Sequence, residues 1–173
     1  MKLLSKLKKE NSWIRVHSVL QFFNAPTFYK LCQWVDEINT EHDLGLYHSM
    51  DKVVLNLIYR AELLPKDLRL EGASKLKQFV DSSNLCNVNS PYKAQRYGKD
   101  RVKQQRQVYN SMIEYLSKDY DINELNKGLG SGGWRKYNYD ILLKSTLALD
   151  KVRKISYKDV FPHLPALEDL SVV

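Results

Sequence analysis

The chain has little cysteine, no long apolar run and no repeating hairpin pattern, and each shortage excludes something. Cys32 and Cys86 lie far apart with no CxxC pair, so the spacing supports neither a structural zinc site nor a disulfide framework. Both read as reduced, buried thiols of a cytosolic protein. No apolar stretch approaches the roughly 18–20 residues that a membrane-spanning helix needs. The opening MKLLSKLKKE spaces its leucines with lysines and carries no small-residue cleavage site, so a secretory signal is not expected. Repeats, alternating hairpin segments and βαβ alternation are all missing from the pattern.

What is present is ordinary globular material: 173 residues, 43% hydrophobic and 27% charged, enough for one helical domain over 1–173 with a real core. Lysines (19) far outnumber arginines (8), a usage that an AT-rich genome gives, that of a virus or a low-GC bacterium.

Helical periodicity dominates. Phe28, Leu31, Cys32, Val35 and Ile38 recur at helical spacing, with Thr27 as N-cap. Met50, Val53, Val54, Leu57, Ile58, Ala61 and Leu64 form a broad apolar face that predicts a central core helix, capped by Ser49 and ended by Pro65. A short helix is expected over 73–81, and further helices over about 99–118, with Val102, Tyr109, Met112, Ile113 and Leu116 inward, and over 138–153. The tail allows one or two helical turns broken by Pro162 and Pro165. Only 12–23 is ambiguous between strand and helix. The expected fold is all-α, a bundle of five to seven helices with minor β at most at 12–23. A basic arm or helix occupies 1–11, and a flexible Gly-rich loop occupies 126–137.

The net charge of +7 is unevenly placed. Residues 1–10 carry +3, and residues 92–109 carry Lys93, Arg96, Lys99, Arg101, Lys103 and Arg106 against Asp100, or +5; the remainder is close to −1. Residues 27–51 set Asp36, Glu37, Glu41, Asp43 and Asp51 against Lys30, a local −4. On a helix, Arg96, Lys99, Lys103 and Arg106 fall on one ridge about a third of a turn from the apolar stripe. Such a ridge supplies salt-sensitive affinity for phosphates. Tyr92 and Tyr97 can stack on exposed bases, and Gln104, Gln105 and Gln107 can reach phosphates or base edges. Arg135 and Lys136, beside Trp134 and Tyr137, extend the surface. The bland alternative is a solvated helix face.

GLGSGG (128–133) looks like a phosphate cradle, but no strand precedes it and the Lys-Ser/Thr of a P-loop is missing, so a hinge is expected and no cofactor. His17 followed by the doublet His42-Asp43 is similar to the order in HD-type metal phosphohydrolases. That resemblance, over about thirty residues, implies a divalent metal held by His17, His42, Asp43 and a distal acid such as Asp121 or Asp140, activating water against phosphorus. The polar lead-in EINTE departs from the apolar run of that family.

The leading expectation is a non-enzymatic, cytoplasmic helical protein whose cationic face contacts nucleic acid or an acidic protein. A structural or adaptor component of a larger assembly, in host cytoplasm or virion if viral, is the second reading, and a metal-dependent phosphohydrolase the third.

Overall fold

A computed structural model describes residues 15–42, 46–51, 60–87, 89, 98–120 and 133–167. Within them lie two strands and five α-helices: β1 (Arg15–Val19), α1 (Phe28–His42), β2 (Tyr47–Asp51), α2 (Lys66–Ser82), α3 (Gly98–Ser117), α4 (Gly133–Arg153) and α5 (Tyr157–Val160). Three 3-10 turns, Ala25–Thr27, Ala61–Leu63 and Asn84–Cys86, join them. The fold is mainly helical, as the periodicity predicts.

The expected core helix over 49–64 is corrected where it can be seen. Tyr47–Asp51 is a strand, and Ala61–Leu63 is a single 3-10 turn. Residues 52–59, with Val53, Val54, Leu57 and Ile58, lie outside the described residues. The strand signal was local alternation: His48 and Met50 point inward while Tyr47 and Ser49 are half-buried and Asp51 is exposed. Counting Met50 into a helical set and His48 as polar hid that period of two.

β2 pairs in parallel with β1, with Arg15 opposite Tyr47 and Val19 opposite Asp51. The expectation of no βαβ unit is therefore also corrected, since β1–α1–β2 is one. Two asparagines fasten its corners. Asn24 donates through Nδ2 to the Val19 carbonyl at 2.9 Å and accepts from the Gln21 amide at 2.8 Å, turning the chain from β1 toward α1. Asn39, buried on α1, accepts from the Leu46 amide at 2.9 Å where the chain returns to β2. Thr27 sits inside the preceding 3-10 turn rather than capping α1 as expected.

α2 begins at Lys66, earlier than the expected 73, because Pro65 sets its start and Asp67 suits the positive end of the helix dipole. Gly72 lies in its middle because the helix passes close to the turn at 25–27. A Cβ there would stand 2.6 Å from the Ala25 carbonyl oxygen. α2 packs chiefly on α3, with α1 alongside.

The core is continuous through all these elements: Leu20, Phe22, Phe28, Cys32, Val35, Leu63, Leu64, Leu76, Phe79, Leu85, Tyr109, Leu116, Leu142 and Leu167 are buried. Cys32 and Cys86 are buried free thiols, and burial followed by the proximity of Cys86 pushes the Cys32 pKa up. Arg69 is buried too. Its guanidinium donates to the carbonyls of Leu116 and Lys118, each at 2.9 Å, and stacks 4.9 Å from the centre of the Tyr120 ring. It thereby caps the C-terminus of α3, where a cation is favoured. Desolvation lowers its pKa, opposed by Tyr120, Asp119 and Glu62.

α4 begins at Gly133, so 133–137 of the expected loop are helical; residues 126–132 lie outside the described residues. α5 is a single turn started by Ser156, whose hydroxyl accepts from the Lys158 amide.

Candidate anion-binding face

α3 places its buried residues, Val102, Gln105, Tyr109, Met112 and Leu116, at alternating spacings of three and four, which form one stripe of a helix. Lys103, Gln104, Arg106, Gln107 and Asn110 are exposed on the remaining circumference. Gly98 opens the helix instead of interrupting it. Lys99 and Arg101 occupy helical positions in the first turn, Lys99 one turn before Lys103. Tyr92, Lys93, Arg96 and Tyr97 lie outside the described residues. Arg135 and Lys136 occupy first-turn positions of α4.

The ridge is not uniform. Lys103 makes no ion pair with any described residue. Arg106 donates to Asp81 of α2 at 3.1 Å, and the same carboxylate binds Lys77 at 2.6 Å. Lys77, then Arg106, holds the Asp81 pKa below its ordinary value. Part of the Arg106 charge is thus answered within the molecule. Gln105, expected among the surface contacts, faces inward. Its Oε1 accepts from the His48 amide at 3.0 Å and its Nε2 donates to the His48 carbonyl at 2.9 Å.

That contact belongs to a network that residue patterns did not reveal. His48, fully buried, meets the Ser18 hydroxyl through Nε2 at 2.6 Å and the Tyr109 hydroxyl through Nδ1 at 3.0 Å. Tyr109 also reaches the Cys32 sulfur, and Phe28 stacks on the imidazole 6.3 Å away. Desolvation, with the charge of His17 second, pushes the His48 pKa down to about 4. A neutral imidazole 2.6 Å from a serine hydroxyl has the geometry of a base and nucleophile. His48 is fully buried with both ring nitrogens and both backbone groups partnered, the arrangement of a satisfied core histidine. The signal that would have found it is the alternation of β2.

The HD-like constellation divides. His17, exposed on β1, bonds the Ser49 hydroxyl at 3.0 Å and pairs with Asp51 at 3.3 Å. His42 ends α1 beside Glu41, at 3.6 Å. Asp140 is exposed on α4, and Asp43 and Asp121 lie outside the described residues. Among the described residues no three His, Cys, Asp or Glu side chains converge to hold a metal, and no helix is long and apolar enough to cross a membrane.

A second set of cations went unnoticed in the sequence: Lys151, Arg153, Lys154 and Lys158 are exposed where α4 ends and α5 begins. Their density within eight residues was the available sign. One described pocket, about 640 Å³, is lined by polar and charged residues: Arg60 and Tyr115 both bind the buried Glu62 carboxylate there, beside Lys118 and Tyr120. Burial, then the hydrogen bond to Glu62, pushes the Tyr115 pKa up. No protein family, no curated protein and no solved structure matches this chain.

Proposed function

We propose that the protein is a non-enzymatic helical binding module whose cationic face on α3 contacts an anionic partner, nucleic acid in the first instance. One observation carries the reading. Residues 98–109 of the most basic segment lie on a helix whose opposite side is anchored in the core by Val102, Gln105, Tyr109, Met112 and Leu116. Such anchoring fixes which positions face solvent, so Lys103 and the position of Lys99 form a preset strip rather than a floppy basic tail. A preset strip loses less entropy on binding than a mobile one. The contact is sequence-independent in kind, because lysine is a point charge for phosphate rather than a reader of base edges.

Filter binding of a mixed-sequence oligonucleotide at two salt concentrations tests the reading. Affinity is expected at low salt, with a linear fall of log affinity against log salt. Absence of binding at low salt, or binding indifferent to salt, refutes the nucleic-acid form. An acidic protein in place of the oligonucleotide is the other anionic partner that suits the same face.

A second reading, a structural or adaptor component of a larger assembly, draws on a different observation. Of the large apolar side chains that are exposed among the described residues, most cluster between Leu147 and Val160.

A further inference from the structure

An open groove of about 460 Å³ lies between β1's exit and the α4–α5 corner, lined by Phe23, Leu149, Ile155, Val160 and Phe161 with Arg153 at its side. Its lining is mainly apolar, and Leu149, Ile155 and Val160 are 40%, 53% and 54% exposed. Leu147 and Val152, at 42% and 79%, are exposed on other faces of α4. An apolar patch of this concentration, bordered by charge, marks an interaction site. The bordering charge is positive: Lys151, Arg153, Lys154 and Lys158 against Asp150 and Asp159, a net +2 over residues 147–160. Asp150 is partly engaged, since its Oδ2 accepts from the Tyr157 amide at 2.8 Å.

The complementary surface is on the same chain. Trp34 on α1 is 51% exposed, and Glu37 and Glu41 follow it at intervals of three and four residues. Those spacings put one indole and two carboxylates on a single stripe, with Lys30 at its start. Glu41 is 72% exposed and keeps His42 as a neighbour at 3.6 Å. An aromatic anchor flanked by acids is the counterpart of an apolar groove flanked by bases, and tryptophan is one of the residues enriched at interface centres.

We propose that the groove receives the Trp34–Glu37–Glu41 stripe of a second copy of this chain. Trp34 enters among Leu149, Ile155 and Val160, while Glu37 and Glu41 meet Arg153 at the groove's side. Copies add head to tail into a ring or a filament, or close as a pair where a twofold axis makes the groove-and-stripe contact reciprocal. The assembly leaves α3 outside the contact, so it neither requires nor excludes an anionic partner there.

Light scattering coupled to size exclusion, run on the full chain over a wide concentration range, tests this. The wild-type mass is expected to rise with concentration. Trp34→Ala and Ile155→Ser each remove one side of the apolar contact, and each should weaken association by about tenfold or more. Both side chains are more than half exposed, so the fold survives their truncation, as far-UV dichroism will show. Two charge-reversed proteins, one with Glu37→Lys and Glu41→Lys, the other with Arg153→Glu, should each be monomeric alone. Mixed, they should associate again, because the native groove meets the native stripe and the reversed groove meets the reversed stripe. A wild type that stays monomeric throughout overturns the proposal. So does an oligomer indifferent to both Trp34→Ala and Ile155→Ser, or a mixture of the reversed proteins that fails to pair.

Discussion

His48 makes stability depend on pH in a way that can be worked out beforehand. The imidazole is fully buried, held by Ser18, Tyr109 and Phe28, with both backbone groups bound to Gln105. Its pKa falls from 6.5 to about 4, chiefly by desolvation and secondarily by His17. The folded protein therefore refuses a proton that the unfolded chain accepts. Below the unfolded value of 6.5 the unfolded state binds more protons, so stability falls with acid until the folded site also protonates near 4. At about 1.4 kcal/mol per pH unit the full loss approaches ~3 kcal/mol. Between pH ~7 and ~5 it is about 2 kcal/mol. Urea unfolding of the wild type and of His48→Gln at both pH values isolates the term, because the carboxylates contribute alike to both proteins. The substituted protein is weaker at neutral pH, having lost packing and hydrogen bonds, but its decline toward pH ~5 should be smaller by about 2 kcal/mol. Parallel declines would refute the assignment of a neutral, proton-refusing His48.

Three further outcomes follow from named contacts. Arg69→Met strands the carbonyls of Leu116 and Lys118 and removes the cation at the end of α3, so unfolding free energy should drop by about 2–4 kcal/mol; a loss under ~1 kcal/mol in urea would contradict the capping role. Gly72→Ala gains about 1 kcal/mol of helix propensity, yet its Cβ meets the Ala25 carbonyl, so a net destabilisation of about 1–3 kcal/mol is expected; a raised melting temperature would show that α2 can shift. In the oligonucleotide titration, Lys99→Gln with Lys103→Gln should reduce the salt slope by roughly one unit per lost phosphate contact. Arg106→Gln should reduce it less, since Asp81 already answers that charge, and equal effects would argue against the internal pair.

The helices carried by long apolar periods, α1 and α3, were legible in the sequence to within a residue or two. Their register is decided locally, by which side chains recur every three or four positions. β2 was not, because its alternation spans only five residues, two of them His48 and Ser49, and its partner strand lies some thirty positions upstream. The same distance hid the role of His48, whose partners come from β1, α1 and α3. In the candidate face, the positions of Lys99 and Lys103 follow from helical spacing alone. The partial neutralisation of Arg106 does not, because Asp81 reaches it from another helix. Gln105 went astray for a related reason: glutamine is polar in composition, but an amide offering both a donor and an acceptor can satisfy a strand as well as water can.

That glutamine changes what the small sheet can do. A two-stranded sheet leaves each outer margin as a row of backbone groups able to recruit a further strand from any passing chain. At His48 the amide and the carbonyl are both already held by the one Gln105 side chain, which stands in for a single residue of an absent third strand. The middle of β2 is thus closed to templated growth without any charge or proline being spent on it. A copy of this chain that meets β2 there must do so through side chains, whose fit can be selective, rather than through a backbone ladder, which accepts nearly any sequence.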